Sequence, residues 1–216
     1  MVGRRLRIYR EFSVAYGTIS QVPGRPRRVS DDIAKSLIKF CNSCGSTVVQ
    51  RVPEGDTFSR AVCEACGIVH YENPKVVVGC LPAYGERILI CKRAIEPRYG
   101  LWTLPAGFME NGESASEGAA REALEEAHAR VEIEDLYTVY SIPHISQVYM
   151  MFRARLLDTD FSAGAESLEV KLVTEKEIPW GELAFAMVRR TLENYLRDRK
   201  TGVFVPRFGD IRPPQR

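Results

Sequence analysis

From Lys75 onward apolar residues fall into short runs separated by polar turns, and the length and spacing of each run predict the element it forms. Val76 to Ala83 is an apolar run of strand length, Tyr84 to Glu86 turns around Gly85, and Arg87 to Lys92 returns, so the segment predicts a hairpin. Leu101 to Leu104 is a short apolar run stopped by Pro105. Ser114 then forms the capping-box pattern with Glu117 and predicts a helix to about Ala127. Its Ala115, Ala119, Ala120, Leu124 and Ala127 offer small apolar faces for close packing against a sheet. Val131 to Ile142 and Val148 to Leu157 read as two more strands, Leu168 to Thr174 as a third, and about Trp180 to Arg199 as a final helix. Strands that precede and flank two helices predict an α+β class, a mixed α/β sandwich with the sheet between helices.

The stretch before Lys75 has a different texture. From Ile38 to about Tyr71 it is rich in Cys and Gly and poor in large aliphatics, so it cannot build its own core. Asn73-Pro74 punctuates the chain. The expected units are a basic leader of residues 1–36, a small ribbon of 37–72, a larger domain of 73–200 and a loose, Pro- and Arg-rich tail of 201–216. A composition of 45% hydrophobic and 27% charged residues is that of an ordinary soluble protein, so a core can form and neither disorder nor a fibre is implied. No apolar run approaches the roughly 20 residues of a membrane helix, so a soluble protein without a membrane partner is expected.

Charge is unevenly distributed. Residues 1–36 carry eight Lys or Arg against three acidic residues, which leaves 22 basic and 25 acidic residues for the rest. The leader lacks the apolar core and small-residue cleavage site of a secretory signal and reads as a poorly ordered extension, with an organelle-directing segment as the alternative. A cytoplasmic location is the expectation. The mildly acidic remainder gives no reason to expect nucleic acid as a partner.

Cys41-x2-Cys44 and Cys63-x2-Cys66 have the spacing of a four-thiolate zinc site, each pair followed by a turn glycine, Gly45 or Gly67. Two disulfides are the competing reading, and the absence of a secretion signal favours metal. Four thiolates leave zinc no open position, so its role is structural, replacing the missing core. Cys80 and Cys91 sit within apolar strands and read as packing residues, and His70 is surplus to the quartet.

Glu122, Glu125 and Glu126 stand at i, i+3 and i+4 and therefore crowd one helix face. Repulsion at those separations costs tenths of a kcal/mol per contact, and carboxylates in the last turn also oppose the helix dipole. A solvated acidic face is the ordinary reading. The surrounding residues favour a cation site: Gly107 and Gly112 bracket a loop, Pro105 fixes its entry, and Arg121 is spaced to hold a neighbouring carboxylate such as Glu113. Hard oxygen ligands of this kind suit magnesium or manganese.

Gly107, Glu113, Arg121, Glu122, Glu125 and Glu126 match the Nudix box, Gly-x5-Glu-x7-Arg-Glu-U-x-Glu-Glu-x-Gly-U with U a bulky aliphatic, and Trp102 to Gly107 resembles the strand and loop that precede it. The chain resembles Nudix hydrolases over about residues 38 to 198, and with its ribbon it is similar to ADP-ribose and FAD pyrophosphatases. Three positions depart: Ala123 and Ala129 replace bulky aliphatics, and His128 stands where glycine usually takes a left-handed conformation. The resemblance implies the Nudix fold, metal ligation by Glu122 and Glu126 with Glu125 assisting, and a backbone carbonyl near Ala106 or Gly107 completing the shell. It also implies a carboxylate from a later loop, Glu166 in preference to Glu169; either reads equally well as a solvated loop residue.

The implied activity is magnesium- or manganese-dependent hydrolysis of the pyrophosphate bond of a nucleoside diphosphate compound, ADP-ribose first and FAD second, releasing AMP. A dinucleotide such as NADH is the alternative, but nothing between Ala129 and Leu157 resembles the Ser-Gln-Pro-Trp-Pro-Phe-Pro signature of NADH pyrophosphatases. Pro143 falls near the offset that marks ADP-ribose hydrolases. A different class, a non-catalytic nucleotide sensor whose ribbon contacts nucleic acid or protein, would be favoured by lost box carboxylates, and none is lost. Tyr99, Phe108, Tyr140, Tyr149 and Phe185 are available to stack on a base, with none singled out, and His144 reads as a surface histidine. A homodimer is an assembly this reading leaves open.

Overall fold

The computed structural model describes residues 38–213, so the leader expected to be poorly ordered, residues 1–36, lies outside the described residues. The ribbon is an antiparallel sheet of three short strands, β1 (Val48–Arg51), β2 (Arg60–Cys63) and β3 (Val69–His70). Gly45 and Gly67 adopt φ of 75° and 76° and donate their N–H groups back to the Cys41 and Cys63 carbonyls. Each Cys-x2-Cys segment is thereby curled so that its sulfurs face inward.

All four Sγ atoms lie within 4.8 Å of one another, with Cys41 to Cys66 at 3.6 Å and Cys44 to Cys63 at 3.5 Å. A disulfide requires roughly 2.05 Å, whereas thiolates around a tetrahedral zinc at about 2.3 Å are separated by about 3.8 Å. The quartet therefore has the geometry of a zinc cluster. His70 is buried but stands outside it.

In the larger domain β4 (Lys75–Tyr84) and β5 (Arg87–Arg93) form the expected hairpin. They pair directly only beside the turn, at Ala83 with Ile88 and Tyr84 with Arg87. Further along they diverge, and β6 (Trp102–Thr103) pairs with β5 while β7 (Ala106–Phe108) pairs with β4. The Pro105 carbonyl, between these two short strands, accepts the Cys80 N–H at 3.1 Å. A proline suits this junction because it brings no N–H that would need a partner. β8 (Val131–Ile142) and β9 (Gln147–Leu156) form a long antiparallel pair, and β10 (Ser167–Val173) covers the far side of β5. The order is β10-β5-β4-β9-β8, with β4 and β9 parallel, so the sheet is mixed.

Side chains alternate across this sheet, and each face takes one helix. Val78, Cys80, Leu89 and Cys91 face α1 (Ala115–Ala127), whose Ala119, Ala123 and Ala127 are buried at four-residue spacing and allow close approach. Leu81, Ile88, Ile90 and Met151 face α2 (Ala186–Thr201) through Met187, Val188, Leu192 and Tyr195. Burying each large aliphatic contributes about 1.5–3 kcal/mol. Cys80 and Cys91 are packing residues, as expected, whereas Leu124 points outward and is half exposed.

Two expectations about the C-terminal region are corrected. The final helix does not run unbroken from Trp180: a 3-10 turn over Trp180–Glu182 is followed by extended chain, because Leu183 bridges to Trp102 and the Ala184 N–H bonds the Trp102 carbonyl. The tail is not loose throughout, since β11 (Arg207–Asp210) adds to the sheet edge parallel to β8. Arg207 anchors it with a two-pronged bond to the buried Asp198 carboxylate, at 2.6 Å from each nitrogen, while the Tyr137 hydroxyl donates to the same group. Among the described residues no helix is long and apolar enough to cross a membrane.

The quartet geometry yields a prediction. Metal analysis of protein purified under reducing conditions is expected to find one zinc per chain, absent from Cys63→Ser, with loss of zinc unfolding the ribbon first. Two disulfides in freshly isolated, unreduced protein would refute it.

Candidate active site

Glu113 immediately precedes the N-cap of α1. Ser114 accepts the Glu117 N–H and donates its own N–H back to the Glu117 carboxylate, so the capping box is complete and the start of the helix is fixed. Two turns later Arg121 reaches back. Its Nε and Nη2 donate to Glu113 at 3.0 and 2.8 Å, Nη1 donates to Glu122 at 2.7 Å and Glu125 at 2.8 Å, and Nη2 also bonds the Phe108 carbonyl at 3.1 Å. One guanidinium thus ties β7, the loop and the helix together. The Arg121 bond and the Glu110 N–H hold the Glu113 carboxyl well down, at about 2.

Glu122 and Glu126 turn inward and are only 7% and 5% exposed, whereas Glu125 is largely in solvent. Burial raises the Glu122 carboxyl, offset in part by Arg121. Burial, then the neighbouring Glu122 charge, pushes Glu126 up to about 8, while a backbone hydrogen bond from Ala106 works the other way. Ala106 therefore reaches the cluster through its amide. Oε2 of Glu126 is buried without any hydrogen-bond partner. A lone buried carboxylate oxygen beside a second buried carboxylate is unfavourable unless a proton or a cation joins them, and these hard donors fit a magnesium- or manganese-sized ion.

Two close approaches shape the cluster. A Cβ on Gly107 would lie 2.4–2.5 Å from the Glu122 carboxyl atoms, so any side chain here would displace that carboxylate. A Cβ on Gly164 would lie 1.8 Å from the Glu125 carbonyl oxygen, because the loop before β10 is laid across the end of α1. There the Ser162 and Gly164 N–H groups bond the carbonyls of Ala127 and Glu126 at 3.0 Å each, satisfying acceptors a helix end leaves open. The departure at His128 is resolved in the same place: it adopts the left-handed conformation itself, φ 46° and ψ 27°.

The loop brings Glu166 within electrostatic reach of both Glu122 and Glu126. Glu169 lies on β10 in an ion pair with Lys171 at 2.7 Å. Pro143 and His144 are exposed in a 3-10 turn between β8 and β9. Arg93 is a residue that sequence reasoning missed. It ends β5, bears electrostatically on Glu126 and Tyr149, and its guanidinium lies 5.2 Å from the Phe185 ring centre. The only sequence signal for it is a cation on the strand that returns from the hairpin. Of the other aromatics, Tyr140 is buried in the α2 face and Tyr99 is exposed.

The chain is similar to known proteins. The family model described as Nudix N-terminal matches residues 39–72, and that described as NUDIX domain matches residues 73–193. A crystal structure of a NUDIX hydrolase from Nitrosomonas europaea is 57% identical, covers 80% of this chain and 98% of its own, and superimposes with a TM-score of 0.78. An ADP-ribose pyrophosphatase of Methanocaldococcus jannaschii is 29% identical over 133 residues, 59% of this chain and 76% of that protein. An NAD-capped RNA hydrolase, NudC, of Stutzerimonas stutzeri is 36% identical over 92 residues, 41% of this chain; the match spans only 30% of that relative's length.

The contact between Gly107 and Glu122 can be probed directly. In Gly107→Ala the added methyl meets the movable end of a side chain, so the fold is expected to survive while the carboxylate is displaced. Manganese affinity, measured by electron paramagnetic resonance titration, should fall about 10- to 100-fold, as for other disturbed metal ligands. Unchanged affinity in a folded variant would remove Glu122 from the metal site.

Proposed function

The chain belongs to the NUDIX domain family, and from that premise we propose that it hydrolyses the pyrophosphate bond of a nucleoside diphosphate compound, with ADP-ribose preferred and FAD second, releasing AMP. The observation that carries this reading is the buried, unpartnered Glu126 oxygen beside Glu122. That arrangement costs stability as pure structure and becomes favourable around a divalent cation.

Glu122 and Glu126 hold the cation in this proposal, Glu125 assists from the solvent side, and a backbone carbonyl near Ala106 completes the shell. Bound magnesium or manganese neutralises charge on the pyrophosphate oxygens and lowers the pKa of the attacking water. Arg121 keeps Glu122 in place while Glu113 holds Arg121. Glu166 takes the proton as the water oxygen bonds to phosphorus and the bridging P–O bond breaks, with the second phosphate as leaving group. Arg93, stacked beside Phe185, binds a phosphate oxygen next to Glu126.

ADP-ribose comes first for two reasons. The M. jannaschii ADP-ribose pyrophosphatase is matched over most of its length, and the NADH signature is missing downstream of the box. The second reading, a substrate containing NAD, is favoured by the NudC relatives.

Glu122→Gln and Glu126→Gln are each expected to lower kcat at least about a hundredfold. Because Glu126→Gln also removes a carboxyl that burial and the Glu122 charge keep from ionising, its melting temperature without added metal should equal or exceed that of the wild type at and above neutral pH. Near-normal turnover at saturating magnesium in either variant would refute the ligand assignment. Substrate rank is a separate matter, addressed by a panel of ADP-ribose, FAD, NADH and a nucleoside diphosphate sugar at matched magnesium. ADP-ribose should show the highest kcat/KM, and a higher value for NADH would overturn the order.

A further inference from the structure

On the sheet face away from α1, a cleft of 410 Å³ opens between α2, β8 and β11. Arg190, Asn194 and Arg197 stand at i, i+4 and i+7 on α2 and share one side of it. Tyr140 contributes its hydroxyl, which accepts a hydrogen bond from Asn194 Nδ2 at 3.1 Å and keeps its own proton to donate. Gly209 lies beside it in register on β11, where an added Cβ would sit 3.6 Å from the Tyr140 ring. That is an ordinary contact, so the missing side chain is what keeps the cleft open rather than a steric necessity.

The charges around this cleft are unbalanced. Arg207 is committed to Asp198 and Tyr137. Among the described residues Arg190 bonds a neutral oxygen, the Asp210 carbonyl at 3.0 Å, and Arg197 the Asn194 side-chain oxygen. Among the described residues neither forms an ion pair, and Glu193, the carboxylate that lines the cleft, is directed to Arg189 at 3.6 Å. Two uncompensated guanidiniums and a hydroxyl donor around a concave space match the oxygens of a phosphate dianion. The volume exceeds what inorganic phosphate needs and falls within the roughly 300–1,000 Å³ of small-molecule sites.

We propose that the cleft between α2 and β11 binds an organic phosphate monoester at a site separate from the glutamate cluster. A phosphodiester strand would offer the same oxygens with one charge per phosphate, and the experiment separates the two sources.

Calorimetric titration of the full-length protein in magnesium-free buffer, with AMP as the probe, is expected to show binding that adenosine lacks. Affinity for AMP should fall at least about tenfold in the double variant Arg190→Ala/Arg197→Ala and in Gly209→Leu, which fills the cleft without removing charge, and should be retained in Glu126→Gln. No AMP binding, equal binding of adenosine, or binding lost in Glu126→Gln but kept in the cleft variants would overturn the proposal. Tighter binding of a 5′-hydroxyl oligoribonucleotide than of AMP would overturn it in favour of a nucleic-acid strand. Cleft variants that change the sedimenting mass while AMP affinity stays constant would overturn it in favour of a subunit interface.

Discussion

Glu122 and Glu126 are buried in the last turns of α1, where lost hydration, their mutual repulsion and the negative end of the helix dipole all oppose ionisation. Several neighbouring features answer this one constraint. Arg121 supplies the positive charge, and because it is itself clamped by Glu113 and the Phe108 carbonyl it holds Glu122 in one place. The N–H groups of Ser162 and Gly164 cap the carbonyls beside the carboxylates and remove part of the unfavourable helix-end field. Among the described residues nothing partners the Glu126 Oε2 atom, which is why the proposed divalent cation would contribute most there.

The sheet contributes through its irregularity. Had β4 and β5 stayed paired along their length, no chain could have been inserted between them, and Gly107 could not have reached the inner face of α1. Their divergence admits β6 and β7, and the same insertion exposes the Trp102 carbonyl to Ala184. That bond fixes the segment before α2 and with it Phe185, against which Arg93 stacks. Arg93, which bears electrostatically on Glu126, and the path of the chain into α2 are thus coupled through Trp102 of β6 and through Phe185.

Local spacing explains which features were legible in the sequence. The capping box at Ser114, the glutamates at i, i+3 and i+4, the cysteine pairs and the β4–β5 hairpin each depend on residues within a few positions of one another. The late start of α2 was not legible, because Leu183 and Ala184 are claimed by Trp102, some eighty residues earlier. β11 was hidden for a similar reason: a Pro- and Arg-rich tail looks loose until Arg207 finds the buried Asp198 and Tyr137. Arg93 reads as an ordinary polar strand end, and only the diverging hairpin gives it a neighbour in α1.

His128 shows how a departure from the box pattern can be absorbed. A left-handed conformation costs a residue with a Cβ about 1–2 kcal/mol relative to glycine. The helix still closes as it would around glycine, with the His128 and Ala129 N–H groups bonded to Leu124 and Ala123. The imidazole recovers part of the cost through Nδ1, 2.8 Å from the Ser162 hydroxyl, a hydrogen bond contributing about 1 kcal/mol that glycine cannot make. Ser162 belongs to the loop that carries Gly164 over the helix end and places Glu166 beside the buried carboxylates. The substitution therefore exchanges backbone freedom for a tether between the helix end and the loop that brings Glu166 to the site.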